Sequence, residues 1–428
     1  MKPYTVQPAR GVRGEIAVPG DKSISHRSIM LGSLAGGTTT VRGMLRGEDN
    51  ISTLKAFQAM GIETADNGET LTICGKGLRG LAEPSDVIDC GNSGTTIRLI
   101  TGLLAAQNFF TVLTGDQYLR KRPMKRVLEP LSLMGASIHG RAGGDKAPLA
   151  IIGQRLNGIS YASPVASAQV KSALMLAGLY ADGETVVTEP TLSRDHSERM
   201  FRYFGADVES FPGGVRVRSG RELEGREITV PGDISSAAFF IVAALIVPGS
   251  ELLIKGVGVN PTRTGVLDIL AGMGGSIELL DRRELSGEPV ADLLVRSSRL
   301  KGIEIGGAVV PRAIDEFPVI SVAAACAEGR TVIRDAGELR VKETDRIAAM
   351  AANLRLSGVT VEETKDGMVI DGVERLNGCA AQSRGDHRIA MSMLVAGLAA
   401  SGTITVDDTE CIATSFPTFI PLLEKVAC

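Results

Sequence analysis

Cations, hydroxyls and carboxylates gather in a few short strings, each where an apolar stretch begins. Asp21-Lys22-Ser23-Ile24-Ser25-His26-Arg27 places Lys22, Ser23 and Arg27 at a helix start, with Ser23 and Arg27 four apart on one face. Cations there oppose the helix macrodipole by about 0.3–1 kcal/mol each, so their placement calls for an anion. A solvated basic surface is the alternative. Gly91-Asn92-Ser93-Gly94-Thr95-Thr96 sets two glycines around Asn and Ser, letting backbone amides approach a phosphate or carboxylate; a plain helix cap explains the segment equally well. Arg120-Lys121-Arg122-Pro123 is a basic knot whose usual meaning is a solvated charge run. Ser167-Ala168-Gln169-Val170-Lys171 supplies a hydroxyl, an amide and an ammonium, and Arg194-Asp195-His196-Ser197-Glu198 follows. In the second half, Asp315-Glu316 puts two carboxylates at a helix start, which suits the dipole or simple capping. Val341-Lys342-Glu343-Thr344-Asp345-Arg346 reads as helical, with Lys342 and Arg346 on one face; surface ion pairing is the commonest meaning of such a string. Gly385-Asp386-His387-Arg388 sets Arg388 in a first helical turn, against the dipole.

The elements that must position these strings repeat. Apolar helices are predicted at Ser25–Leu34, Thr95–Ala106, Gln169–Tyr180, Ser235–Ile246, Glu316–Ala327 and His387–Ala400. Each is followed by glycine and a short β-branched strand, with a period of about 70 residues, the signature of one module packed against copies of itself. Gly61, Gly135, Gly205, Gly274 and Gly358 end a second helix in five of the modules. Five of six helix openings therefore carry groups suited to anion or proton chemistry, which purely structural repeats would not need.

With 428 residues, 44% hydrophobic, the chain is too long for one ordinary core. Val18-Pro19-Gly20-Asp21 returns as Val230-Pro231-Gly232-Asp233, which reads as a pair of crossings between two domains, or as two surface turns. The boundaries expected are 21–231 for repeats one to three, and 1–20 plus 232–428 for repeats four to six. A net charge of −3, 4% aromatics and no tryptophan argue against nucleic acid as a partner. No apolar run is long enough to span a membrane and the N-terminus has no signal-like apolar region, so a cytoplasmic location is expected. Six scattered cysteines without CxxC pairs, and four unclustered histidines, point to reduced thiols and to no metal site.

Taken together, the strings resemble the enolpyruvylshikimate-phosphate synthase family over nearly the whole chain, from Gly20 to about Phe419. The most specific pieces are Asp21–Arg27, Arg340–Arg346 and Asp386-His387-Arg388. The resemblance implies the enolpyruvyl transferase fold: a two-domain inside-out α/β barrel, each domain of three βαβαββ-type units, with the active site in the cleft between them. It implies enolpyruvyl transfer from phosphoenolpyruvate to the 5-hydroxyl of shikimate 3-phosphate, without metal or other cofactor, by a monomer. It assigns Lys22, Ser23, Arg27, Ser167, Ala168, Gln169, Arg194, Asp315 and Lys342 to shikimate 3-phosphate. Lys22, Asn92, Gly94, Arg122, Gln169, Arg346 and Arg388 go to phosphoenolpyruvate. Asp315 would take the hydroxyl proton and Glu343 would protonate the methylene, with Lys22 completing the catalytic set. Neither half by itself is expected to hold enough positive charge or both proton-transfer groups, so ligands should draw the domains together.

Some positions depart from the family pattern. Arg98 is followed by Leu99 where many members have proline, Glu338 replaces an asparagine, and Ala413-Thr414-Ser415 stands where many carry a lysine. Arg194–Glu198 and Asn260-Pro261-Thr262-Arg263 match the subgroup that includes glyphosate-tolerant members, yet tolerant members can carry alanine where Gly94 keeps glycine. Partial tolerance is the expectation. The sister family, which transfers enolpyruvate to UDP-N-acetylglucosamine, usually has a cysteine in the loop that here reads Gly115–Lys121, without one. A non-catalytic anion-binding protein of the same fold would keep the arginines but have no reason to keep Asp315 and Glu343.

Overall fold

The computed structural model describes residues 2–428. All six apolar helices form, at Lys22–Leu34, Gly94–Leu104, Ala168–Gly178, Ile234–Ile246, Phe317–Ala325 and His387–Leu398. They are buried on nearly every side, as helices without a polar face must be. Each leads to a strand whose alternate residues enter the core while the others face outward, as in Phe110–Thr114 and Glu184–Thr188. Helices inside and sheets outside make the inside-out α/β arrangement. Packing is close enough that a Cβ on Gly102 would lie 2.1 Å from the Ala173 carbonyl oxygen, so the second and third buried helices touch backbone to backbone.

The fifth repeat shows the module plainly. Strand Glu304–Ile305, helix Phe317–Ala325, strand Arg330–Ile333, helix Arg346–Leu356 and hairpin Thr360–Glu363/Met368–Asp371 follow in order. The first two strands pair in parallel, which requires the helical crossover, and the hairpin closes the sheet antiparallel. The second and third repeats have the same order. Where the second helix ends, glycine takes the left-handed conformation: φ is +86° at Gly61 and +92° at Gly205. There the amide of Ile62 bonds to the Phe57 carbonyl and that of Ala206 to Phe201, satisfying carbonyls the helix leaves orphaned.

Two repeats borrow their first strand from elsewhere in the chain. Glu227–Thr229 pairs in parallel with Thr40–Arg42, completing the first repeat, and Arg13–Ala17 pairs in parallel with Glu251–Lys255, completing the fourth. In the sixth, Tyr4–Val6 lies antiparallel to Ile404–Val406 in place of a hairpin. The chain divides into two compact units. One holds Gly20–Val230 with Glu284–Glu288; the other holds the residues up to Pro19, Pro231–Arg283 and Pro289–Cys428. The segment Glu284–Glu288, expected within 232–428, thus groups with 20–230. The His196 imidazole meets the Glu288 carboxylate at 2.7 Å and Arg199 donates to the Gly287 carbonyl, contacts no local sequence pattern announces. In the other unit Phe239, Phe240, Phe416 and Phe419 stack at 5.4–5.9 Å, pairs worth about 0.5–1.5 kcal/mol each beyond area burial. No helix among the described residues is long and apolar enough to cross a membrane.

Candidate active site

In the unit built on 20–230, the first turns of three buried helices are tied to one another. Asp21, Ser93 and Ser167 cap them by accepting from the amides of Ile24, Thr96 and Val170. Each cap satisfies one orphan N–H at about 1 kcal/mol and points the following side chains the same way along the helix. Lys22 pairs with Asp49 at 2.5 Å, and Thr96 on the second helix donates to the Asp49 carbonyl. A run of hydroxyls, from Thr53 on the intervening helix Glu48–Ala59 to Thr96 at 2.6 Å and from Thr96 to Ser93 at 2.7 Å, runs beside this link. His26 closes the run on Thr53, and burial pushes its imidazole down to about 3, so it is neutral. Gln169 on the third helix accepts from Arg98 on the second at 2.8 Å and donates to Thr95. Asn92 accepts from Arg122 at 2.6 Å and donates to Asp116. Gly94 completes this corner: a Cβ there would stand 3.0 Å from Nη1 of both Arg122 and Arg98.

Arg27 is 5% exposed and spends its guanidinium on neutral oxygens. It donates to the hydroxyls of Ser197 and Ser172 at 2.7 Å and to the Ser23 carbonyl at 3.0 Å. Burial pushes its pKa down to about 10, with nearby Arg194 adding to the fall and the carboxylates of Glu198 and Asp21 opposing it. The group stays cationic at neutral pH and is only partly compensated. Ala168 opens the third helix directly behind the Ser167 cap.

The other unit gathers carboxylates around its cations. Arg346, 2% exposed, donates to Asp386 at 2.8 and 3.3 Å, to Glu343 at 2.6 Å and to Asp315 at 3.5 Å. Burial alone would lower its pKa, but the Asp386, Glu343 and Asp315 carboxylates outweigh that and hold it above the ordinary arginine value. Lys342 also reaches Asp315, at 3.5 Å. Arg388 donates to the Asp315 carbonyl at 2.9 Å and lies 3.8 Å from the Glu316 carboxylate. Asp315 and Glu343 therefore meet one guanidinium in one unit, which overturns the expectation that no half holds both.

Two local readings also change. Lys342–Asp345 is not helical: Asp345 caps Arg346–Leu356 by accepting from Ala348, so that helix begins at Arg346 and the preceding residues form a loop. Arg340 pins the loop, bonding Asp345 at 2.7 Å and the carbonyls of Thr364 and Lys365. Glu316 does not cap its own helix; its carboxylate accepts from Ser235 and lies 3.9 Å from Arg263. Arg98, Asp49, Asp386 and the serines holding Arg27 were absent from the expected set. Asp386 and Ser197 sit inside the quoted strings, whereas nothing local marks Asp49 or Ser172.

A model of the family described as EPSP synthase (3-phosphoshikimate 1-carboxyvinyltransferase) matches residues 6–423. A 3-phosphoshikimate 1-carboxyvinyltransferase of Geotalea uraniireducens (strain Rf4) is 79% identical over 426 residues, 100% of this chain and 99% of that protein. One of Geobacter sulfurreducens (strain ATCC 51573 / DSM 12127 / PCA) is 78% identical, with 100% of both chains covered. Among solved structures, an EPSP synthase from Acinetobacter baumannii superposes with a TM-score of 0.91 at 48% identity, over 100% of this chain and 98% of that one. Sequence, architecture and matched length agree that the chain belongs to the EPSP synthase family.

Proposed function

We propose that the chain transfers the enolpyruvyl group of phosphoenolpyruvate to the 5-hydroxyl of shikimate 3-phosphate, giving 5-enolpyruvylshikimate 3-phosphate and inorganic phosphate. The observation that carries this reading is the single buried guanidinium of Arg346 between Asp315, Glu343 and Asp386. Two carboxylates that share this cation are held on one mount, which supports one giving a proton and the other taking one. Protonation of the methylene carbon, assigned to Glu343, makes its neighbour electrophilic. The 5-hydroxyl oxygen bonds to that carbon as Asp315 takes its proton. The tetrahedral adduct then expels phosphate, which carries off the proton that Asp315 had taken, while the methyl carbon returns a proton to Glu343, restoring the double bond.

The cations hold the charge that moves during these steps. In this reading Lys22, Ser23, Arg27 and Arg194 meet the phosphorylated substrate, with Ser167, Ala168 and Gln169 along its ring and Lys342 beside Asp315. Asn92, Gly94, Arg122, Arg346 and Arg388 meet phosphoenolpyruvate, which Lys22 and Gln169 also reach. A monomer in the cytoplasm, without nucleic-acid or membrane partners, completes the proposal. The finer placement, in the subgroup with glyphosate-tolerant members, rests on Arg194–Glu198 and Asn260–Arg263. It carries the expectation of partial tolerance, and strong competition with phosphoenolpyruvate at micromolar glyphosate would contradict it.

The deciding assay is phosphate release from phosphoenolpyruvate after metal chelation, with shikimate 3-phosphate or UDP-N-acetylglucosamine as acceptor. Release with shikimate 3-phosphate alone is the expected result. Release with the nucleotide sugar alone would move the chain to the sister activity, and release with neither would defeat the enzymatic reading.

A further inference from the structure

Behind Arg27 lies a charged network that no step above uses. Lys171, on the third buried helix, has a side chain 1% exposed and reaches Glu189 at 2.9 Å and Glu198 at 2.8 Å, whose side chains are 2% and 4% exposed. Burial alone would lower its pKa, but the two carboxylates more than reverse this and keep the ammonium charged. Such a buried triad is a poor source of stability, because desolvation costs about as much as pairing returns. Its geometry suggests another use. One Glu189 oxygen accepts from the Ser167 amide at 3.0 Å, and the other from the Ser193 amide and hydroxyl at 3.3 and 2.8 Å. Lys171 also donates to the Ser193 carbonyl at 3.4 Å. Glu189 therefore ties the cap of the third helix to the residue before Arg194. The neighbours Ser172 and Ser197, 2.6 Å apart, are the hydroxyls that hold Arg27.

We propose that Glu189, fixed by Lys171, is a positioning residue for the phosphate-bearing end of the shikimate 3-phosphate shell: it sets Ser167 and the Ser193–Arg194 turn at the distance from Arg27 that the substrate requires. The inference rests on the substrate assignment above. Glu198 is the second counter-charge to Lys171 and also helps hold the charge on Arg27, but it bonds neither Ser167 nor Ser193, and its other carboxylate oxygen is buried without a hydrogen-bond partner among the described residues.

The two glutamates allow a clean test. Glu189→Gln and Glu198→Gln remove the same charge from the same buried triad and each leave Lys171 one carboxylate. Only the first disturbs Ser167 and Ser193. Extra local positive charge by itself should tighten binding of a phosphate, so positioning and electrostatics push Glu189→Gln in opposite directions. The expected result is a KM for shikimate 3-phosphate about tenfold higher in Glu189→Gln, the scale of one charged hydrogen bond. The KM for phosphoenolpyruvate should stay within about twofold, and Glu198→Gln should not raise the KM for shikimate 3-phosphate. Equal shifts in the two variants, or a rise in both KM values together, would overturn the proposal. Glu189→Asp keeps the charge but withdraws the carboxylate by one methylene; it should raise the same KM, and an unchanged value in this variant counts against the idea even if Glu189→Gln does not fold. Wild-type enzyme inactive with shikimate 3-phosphate would instead point to failure of the substrate assignment.

Discussion

The two units handle buried guanidinium groups in opposite ways. Arg27 donates to two hydroxyls and a carbonyl, and its pKa is pushed down. Arg346 donates to three carboxylates, and its pKa is held up. Neutral partners fix a cation's direction without cancelling its charge, so Arg27 remains available to an anion. Carboxylate partners cancel the charge but are themselves aligned by it, so Arg346 acts as a mount for Asp315 and Glu343. One unit stores positive charge for a ligand; the other stores oriented proton-transfer groups.

The largest effect should come from removing the mount. Arg346→Met leaves Asp386 buried without its guanidinium and takes from Asp315 and Glu343 the cation they share, so denaturant unfolding should show a loss of about 3–5 kcal/mol, with turnover abolished. If stability is unchanged, the carboxylates are not held as described. Arg27→Met should behave differently: Ser172 and Ser197 still bond each other, so stability should fall by no more than about 1–2 kcal/mol. The KM for shikimate 3-phosphate should nevertheless rise about a hundredfold in steady-state kinetics. A large loss of stability with little change in KM would erase the contrast between the units.

Gly94→Ala sharpens the comparison within the first unit. Its methyl would press Nη1 of Arg122 and Arg98 from 3.0 Å, so both guanidiniums must shift by a few tenths of an ångström while they are bonded to Asn92, Gln169 and the Pro123 carbonyl. A rise of about tenfold in the KM for phosphoenolpyruvate is expected, with that for shikimate 3-phosphate nearly unchanged. The smallest effect concerns His26. Its folded pKa of about 3 lies below the ordinary 6.5, so the unfolded chain binds the extra proton first. Its contribution to stability is complete above pH 6.5 and is lost as pH falls toward 3, by about 1 kcal/mol over the first full unit. Urea midpoints measured from pH 7 to 5 should fall less steeply for His26→Gln than for the wild type.

How legible the chain was depended on the range of the interaction. The buried helices, the glycines that end their companions and the strings at their openings follow from periodicity and backbone preference, and the structure has them. Asp315, Lys342, Glu343, Arg346 and Arg388 meet in one unit, against the expectation that neither half holds both proton-transfer groups, and Lys342–Asp345 is loop rather than the expected helix because an aspartate cap and a mid-helix aspartate look alike in sequence. Asp49, Ser172 and Glu189 carried no signal, since each matters through a partner more than 20 residues away.

By itself, then, the sequence determined the repeated module, its helix ends and the stock of charged groups, because hydrophobic period, left-handed glycine and capping chemistry act within a few residues. Only the tertiary structure decided which cation is shared by three carboxylates and which is left to hydroxyls. The same level decided that the first and fourth repeats take a strand from Glu227–Thr229 and Arg13–Ala17. Those outcomes are settled by desolvation and by geometry across distant segments, where a buried charge must find whatever partner the packing brings within reach.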